Sequence, residues 1–90
     1  MRYLISCIEK SSPQGGHEHI TRAGSRGWTM TIPQLVARID SGVDSFYVED
    51  DYGRRATVGV VRPAGRHPYI RTYADGVWTD NLLALAACLI

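Results

Sequence analysis

The sequence predicts an α+β fold, in which a mainly antiparallel sheet carries one helix on one face and the element order is β-β-α-β-β-β. Three observations support this class. The 90-residue chain has 44% hydrophobic and 21% charged residues, which suits one globular domain spanning residues 1–90. One segment combines helical periodicity with capping residues. The other apolar runs are short and separated by turn residues, as in strands joined by hairpins.

The N-terminal third of the chain predicts two strands. Residues 2–9 are rich in Tyr, Ile and Leu and predict the first strand. Residues 11–16 contain Pro and two Gly and predict a loop. Residues 17–23, with Ile20 as the main apolar side chain, predict the second strand, and residues 24–27 predict a turn.

The helix is predicted over residues 32–41. Thr31 suits the N-cap, and Gln34 follows three residues later, which completes a capping box. Gly42 supplies the left-handed residue that often ends a helix. Four apolar residues follow the i, i+3, i+4, i+7 spacing of one buried face, namely Ile32, Leu35, Val36 and Ile39.

Further strands are predicted after the helix, at residues 45–50, 55–62 and 69–73. A short additional strand is predicted at residues 77–79, because Asp75-Gly76 before it is a strong hairpin signal.

The tail from Asn81 onward is rich in Leu and Ala, and it suits either a short helix or an extended segment on the core. One short helix cannot cover a sheet of five or six strands. Part of one sheet face is therefore expected to be exposed, or to be covered by the tail or by a partner.

Ten basic and nine acidic residues give a formal net charge of +1, so overall charge predicts neither a nucleic-acid binder nor a membrane binder. The charges are unevenly placed, because residues 39–51 hold acids without bases and residues 52–74 hold Arg without acids. Cross-strand pairs are expected across the hairpin, joining Glu49, Asp50 or Asp51 to Arg54 and Arg55. Arg62, Arg66 and Arg71 then have no predicted local partner.

The predicted strand at residues 69–73 brings tyrosine and arginine side chains together on one face. Tyr69, Arg71 and Tyr73 alternate with apolar Ile70 and therefore share one face of the strand. If Ile70 faces the helix, these three side chains lie on the exposed sheet face, and Tyr47 joins them.

The candidate binding residues are the Tyr and Arg side chains of this region, namely Tyr47, Arg62, Arg66, Tyr69, Arg71 and Tyr73. Three interpretations remain open. The tyrosines are ordinary half-buried sheet residues; or they anchor a protein partner or a second copy of the chain; or they stack on single-stranded nucleic acid. Among the binding functions, the protein partner or self-association is favoured, and a membrane is not.

No catalytic constellation or cofactor motif stands out, and the sequence favours a protein that is not an enzyme and has no cofactor. Neither a G-x-S-x-G motif nor a Gly-rich phosphate loop is present. His17 and His19 have the only metal-like spacing, since residues two apart in a strand share a face, but a structural zinc site needs four ligands. This segment is expected to be solvated, and a metal site at His17 and His19 remains only as a second alternative function.

Cys7 and Cys88 lie near opposite ends of the chain. A secreted domain of this size usually carries four or more cysteines, so two buried free thiols in a reducing cytoplasm are expected in preference to one bridge. The apolar residues 82–90 are too few to span a bilayer, and no targeting segment is predicted.

Several short motifs resemble a known family, the domain-of-unknown-function family numbered 3892. Its C-terminal signature is similar to Tyr69-Ile70-Arg71-Thr72, Asp75-Gly76, Asp80-Asn81-Leu82 and Leu85, and its central helix is similar to the segment from Thr31 to Gly42. The resemblance covers about two-thirds of the chain. It implies a small standalone bacterial domain without an assigned activity, substrate or cofactor.

The signature also has a structural interpretation. Asp75-Gly76 forms a turn, Asn81 bonds to nearby backbone or caps a final turn, and Leu82 and Leu85 close the open end of the core. Family members usually have a Pro after the second Leu, where this chain has Ala86, so the conformation of the tail is not implied by the resemblance.

Overall fold

The computed structural model describes residues 1–12, 14–74 and 76–88, and within them it confirms the α+β class. The helix and strands are β1 (Arg2–Leu4), β2 (Cys7–Lys10), β3 (Ile20–Ser25), β4 (Trp28–Thr31), α1 (Ile32–Ser41), β5 (Ser45–Glu49), β6 (Arg55–Val61), β7 (Tyr69–Ala74), β8 (Val77–Thr79) and β9 (Ala86–Ala87). Short 3₁₀ helices occupy His17–His19 and Asn81–Ala84. No helix in these ranges is long and apolar enough to cross a bilayer.

The strands form two sheets, where the sequence had predicted one. The first sheet has the order β1-β5-β6-β7-β8, and the second has the order β4-β3-β2-β9. The pairs β1–β5 and β2–β9 are parallel, and the other pairs are antiparallel. Each sheet is therefore mixed, because a chain end has been added in parallel to a set of hairpins.

The division into two sheets begins in the first predicted strand, which is broken between Ile5 and Ser6. The Ile5 N–H donates to the Tyr47 carbonyl of the first sheet at 2.8 Å. The next N–H, from Ser6, donates to the Gly24 carbonyl of the second sheet at 2.8 Å. The prediction of one continuous strand over residues 2–9 is wrong. Both halves are apolar, so the sequence pattern shows no break between them. The break arises because the two halves pair with different strands, in different sheets.

The segment before α1 also differs from the prediction. Residues 17–19 form a 3₁₀ helix, and the strand starts at Ile20. Gly24 lies inside β3, where a Cβ would lie 2.2 Å from the Trp28 carbonyl oxygen. The turn is made by Gly27, whose φ is 81°. Gly24 therefore serves close contact between two strands, and the turn predicted over residues 24–27 is shorter than expected.

The helix is confirmed with its predicted bounds. The Thr31 hydroxyl accepts from the Gln34 N–H at 3.4 Å, and the Gln34 side chain accepts from the Thr31 N–H at 2.9 Å, so the capping box is complete. Gly42 has φ 75° and ends the helix in the left-handed region.

The core lies between the two sheets and α1. Its buried apolar residues come from both sheets, from α1 and from the C-terminal segment, namely Ile5, Ile8, Ile20, Ala23, Ile32, Leu35, Phe46, Val48, Val58, Ile70 and Leu82. Leu82 is fully buried and Leu85 packs against the same cluster, as the signature had predicted. The tail combines the two predicted alternatives, a short 3₁₀ helix followed by an extended segment.

Cys7 and Cys88 form a disulfide, with their Cα atoms 4.7 Å apart. The prediction of two free thiols is wrong. The parallel pairing of β2 with β9 places Cys7 opposite Ala86, and this brings the two cysteines together from opposite ends of the chain. Cysteine count and spacing do not reveal a parallel pairing between segments so distant in sequence.

Candidate interaction surface

The first sheet has one face on the core and one face away from it, which we call the outer face. In β5, Phe46 and Val48 are buried in the core and Tyr47 lies between them, so it points outward. In β7, Ile70 is buried and Tyr73 is 43% exposed. Ile70 and Tyr73 therefore lie on opposite faces of β7, as predicted.

Strand register places one row of side chains across four neighbouring strands of this face. Tyr47 pairs with Thr57, Thr57 with Tyr73, and Tyr73 with Trp78. The rings of Tyr73 and Trp78 meet edge to face, with centroids 5.3 Å apart. Trp78 is 40% exposed, so the pair presents a half-exposed aromatic surface at the edge of the sheet.

Gly59 makes room for the indole of Trp78. A Cβ on Gly59 would lie 3.0 Å from the Cη2 atom and 3.1 Å from the Cζ3 atom of that ring. Gly59 pairs with Arg71 on the neighbouring strand, so the indole reaches diagonally across β7 onto the bare backbone of β6. A side chain at this position would require the ring to shift by a few tenths of an ångström.

Sequence reasoning missed Trp78 and Gly59 as parts of this surface. The available signal was the predicted hairpin at Asp75-Gly76, which would place Trp78 opposite Tyr73. Gly76 has φ 81°, as the predicted turn requires, while Asp75 lies outside the described residues.

Tyr47 is less accessible than the other two aromatic rings of the row. The guanidinium carbon of Arg2 lies 4.6 Å from the centroid of its ring, and that of Arg55 lies 5.0 Å from the same centroid. These cation–π contacts occupy Tyr47, which is consequently poorly placed to stack on a ligand. Neither Arg2 nor Arg55 was among the predicted binding residues.

Most arginines of the basic segment are held in ion pairs. The observed pairs are Arg54–Asp50 at 2.9 Å, Arg55–Glu49 at 3.2 Å, Arg71–Asp80 at 2.9 Å, and Arg62–Asp40. The first two confirm the predicted pairs of the hairpin. Asp50 also accepts from the Arg54 and Tyr52 backbone N–H groups, and these bonds, that of Arg54 first, lower the pKa of its carboxyl.

Two of the three arginines without a predicted local partner, Arg62 and Arg71, form ion pairs with residues more distant in the sequence. Arg62 pairs with Asp40 of α1, which places it beside the helix and away from the aromatic row of the outer face. Arg71 donates to the Thr79 carbonyl at 3.0 Å as well as to Asp80. Arg66 is exposed in the loop after β6, and its side chain has no hydrogen bond or ion pair among the described residues.

Tyr69 is covered by His17 at the edge of the sheet. The two rings stack with centroids 6.4 Å apart, and the His17 side chain is only 9% exposed. Its Nε2 atom lies 3.8 Å from Asp80. Burial, and secondarily the Arg71 guanidinium, lower the pKa of His17 below its ordinary value of 6.5. Tyr69 is thus part of a packed edge, which leaves Tyr73 as the exposed tyrosine of β7.

His17 and His19 do not share one face of a strand, which was the arrangement that gave them a metal-like spacing. His17 turns inward, whereas His19 bonds to the Ser11 hydroxyl at 3.3 Å, because the segment is a 3₁₀ helix and not a strand. Within the described ranges no group of three or more His, Cys, Asp or Glu side chains is placed to hold a metal ion.

Asn81 opens the C-terminal 3₁₀ helix, directly after Asp80. The Asn81 side chain makes no hydrogen bond among the described residues, and the N-cap residue Asp80 makes no side-chain cap hydrogen bond.

Comparisons with known proteins add one finding. Neither the curated proteins nor the solved structures contain a significant match to this chain. A family model described as "Protein of unknown function (DUF3892)" matches residues 4–86, which extends the resemblance to the N-terminal strands. Since the match covers nearly the whole chain, the protein belongs to the DUF3892 family.

Proposed function

We propose that this domain is a non-catalytic interaction module that binds a protein partner through the outer face of the first sheet. The observation that carries the proposal is the Tyr73–Trp78 pair, which lies half-exposed on the outer face. Trp, Tyr and Arg are the residues that most often dominate protein–protein binding energy.

The placement of Trp78 favours a preformed anchor. Its ring rests on Gly59 and against Tyr73, so a partner need not immobilise a free side chain to use it. Binding to an ordered anchor costs less conformational entropy than binding to a mobile one.

A protein partner is favoured over single-stranded nucleic acid by the charges of this face. Arg71 is paired with Asp80, and Arg55 is paired with Glu49 and stacked on Tyr47. Nucleic-acid binding by a stacking platform requires cations that are free to meet phosphates, together with open aromatic rings. Much of this capacity is already used within the domain.

The first test compares capture by three versions of the labelled domain from a lysate of the source organism. Trp78→Ala removes the anchor, and Tyr52→Ala removes an aromatic ring that is 83% exposed in the β5–β6 turn. We expect one or more proteins to be retained by the wild type and Tyr52→Ala but lost by Trp78→Ala. Loss of a central Trp costs about 2 kcal/mol or more, which is about 30-fold in Kd. Calorimetry with the purified partner measures that change directly.

Retention of the same proteins by all three versions contradicts the proposal. A second arm distinguishes a nucleic-acid ligand by amide NMR titration with mixed single-stranded RNA at two salt concentrations. Shifts on residues 54–73 that weaken steeply with salt would replace the protein partner by nucleic acid. Sedimentation of the domain alone tests self-association, which we expect Trp78→Ala to abolish if the partner is a second copy.

A further inference from the structure

Among the described residues, few contacts besides the disulfide hold the C-terminal strand β9. β9 is two residues long, and both Ala86 and Ala87 are exposed. The Cys88 N–H donates to the Ile8 carbonyl at 3.2 Å. Such a short exposed strand contributes little apolar burial and opens readily without a covalent link.

Among the described residues, the core cluster has no member in this strand. Its last member along the chain is Leu82, which is fully buried, and Leu85 is partly buried against it. Of the described residues beyond Leu85, Cys88 alone is buried, and its sulfur is in the bridge. Residues 86–88 can therefore leave β2 without removing a side chain of this cluster, and the buried side chain that moves with them is Cys88.

We infer that the Cys7–Cys88 bridge is a thiol–disulfide switch, and that its reduction by a small dithiol releases residues 86–88 from β2 while the rest of the domain stays folded. The released segment exposes one edge of β2, where the Ile8 carbonyl loses the Cys88 N–H. This role is independent of the outer face, which lies on the other sheet.

The dithiol supplies the two electrons that reduce the Cys7–Cys88 bridge. Its thiolate attacks the sulfur of Cys7, which is the less buried of the two residues, and the S–S bond breaks with Cys88 leaving as a thiolate that takes a proton from water. The second thiol of the reductant then displaces Cys7 and closes a cyclic disulfide. Two electrons and two protons reach the protein as two thiols, and the dithiol is oxidised.

The bridge itself is tested by alkylation with iodoacetamide followed by mass measurement. Before reduction we expect no added group, and after dithiothreitol we expect both cysteines to be modified. Modification before reduction would show that the bridge is not formed and would overturn the proposal.

The release is tested by amide hydrogen exchange on the intact domain, oxidised and reduced. The exchange rate of the Cys88 amide is expected to rise on the order of tenfold or more, because its acceptor is lost. The Ile5 amide, which bonds across the other sheet to Tyr47, serves as the internal control and should change little. The double variant Cys7→Ser with Cys88→Ser should match the reduced protein and ignore the reductant.

Two exchange results would refute the switch. An unchanged Cys88 amide after reduction would mean that β9 stays docked without the bridge. A comparable rise at Ile5 and Cys88 would mean that the bridge holds the whole fold together and does not govern one segment.

Discussion

At the scale of single residues, the environment of His17 differs from the one that its place in the sequence suggested. The sequence predicted a solvated histidine after a Gly-Gly loop, but the ring is buried against Tyr69. Its Nε2 atom has no hydrogen-bond partner among the described residues, although Asp80 is nearby. A buried imidazole without a close acceptor is more stable neutral than charged, which agrees with its lowered pKa.

This environment predicts how stability depends on pH. Because the folded-state pKa of His17 lies below 6.5, the unfolded chain binds the proton more readily than the folded domain. The contribution of this group to the free energy of unfolding is therefore full above pH 6.5 and falls as the pH drops through 6.5 towards the lower folded value. Urea denaturation between pH 8 and pH 5 measures the slope, with both limits set about 1.5 units from the ordinary value.

The variant His17→Phe keeps an aromatic ring beside Tyr69 and removes the titrating group. We expect it to flatten the pH dependence near pH 6, while His67→Phe, at an exposed loop position, keeps the wild-type slope. A full slope in His17→Phe would assign the effect to other groups.

At the scale of elements, the prediction succeeded where local rules decide and failed where distant partners decide. α1 has its N-cap, its buried face and its terminating glycine within one short segment, so its bounds were predicted correctly. β4 was missed, because residues 28–30 lie between the predicted turn and the helix N-cap Thr31, and their strand character comes from pairing with β3. The break between β1 and β2 was missed for a similar reason.

The candidate site follows the same rule. Alternation within β7 correctly placed Tyr73 on the side of the sheet away from the core. It could not show that Tyr69 is covered by His17, or that Arg62 reaches Asp40 on the helix. Trp78 belongs to a three-residue strand, too short for its own pattern to assign a face.

The contact between β6 and β8 gives a prediction at this scale. Gly59→Ala places a methyl group against the indole of Trp78, which must shift by a few tenths of an ångström. We expect a clear change in the Trp78 indole N–H resonance and a change of no more than about 1 kcal/mol in unfolding free energy, because the half-exposed ring can yield.

Trp28 is the internal control, because its indole N–H resonance should stay in place. Gly16→Ala is the matched glycine variant, since its Cβ would come no closer than 3.4 Å to the Glu18 carboxylate. An unchanged Trp78 resonance in Gly59→Ala would contradict the contact between the indole and the Gly59 backbone.

At the scale of the whole molecule, Ile5 is the residue on which both sheets converge. Its side chain is fully buried, its N–H bonds to the first sheet, and the following N–H bonds to the second. Ile5→Ala is therefore expected to cost about 2 to 5 kcal/mol of unfolding free energy, as for large-to-small changes in cores.

The neighbouring Leu4→Ala is the matched control, because Leu4 is 37% exposed and should cost much less. Denaturant titration of both variants gives the comparison. Similar losses of unfolding free energy in Ile5→Ala and Leu4→Ala would show that the residue between the two sheets does not contribute more to stability than its exposed neighbour.

The two parallel pairings have a consequence for the order in which the chain folds. The antiparallel strands are joined by short connections, so β3–β4 and β5–β6 can form from neighbouring residues. By contrast, the parallel pairs join residues that are distant in sequence, Arg2 with Ser45 and Cys7 with Ala86. Pairings between such distant segments close large loops and are slow. The hairpins are thus expected to form first, and the N-terminal segment to join them into one body in the rate-limiting step.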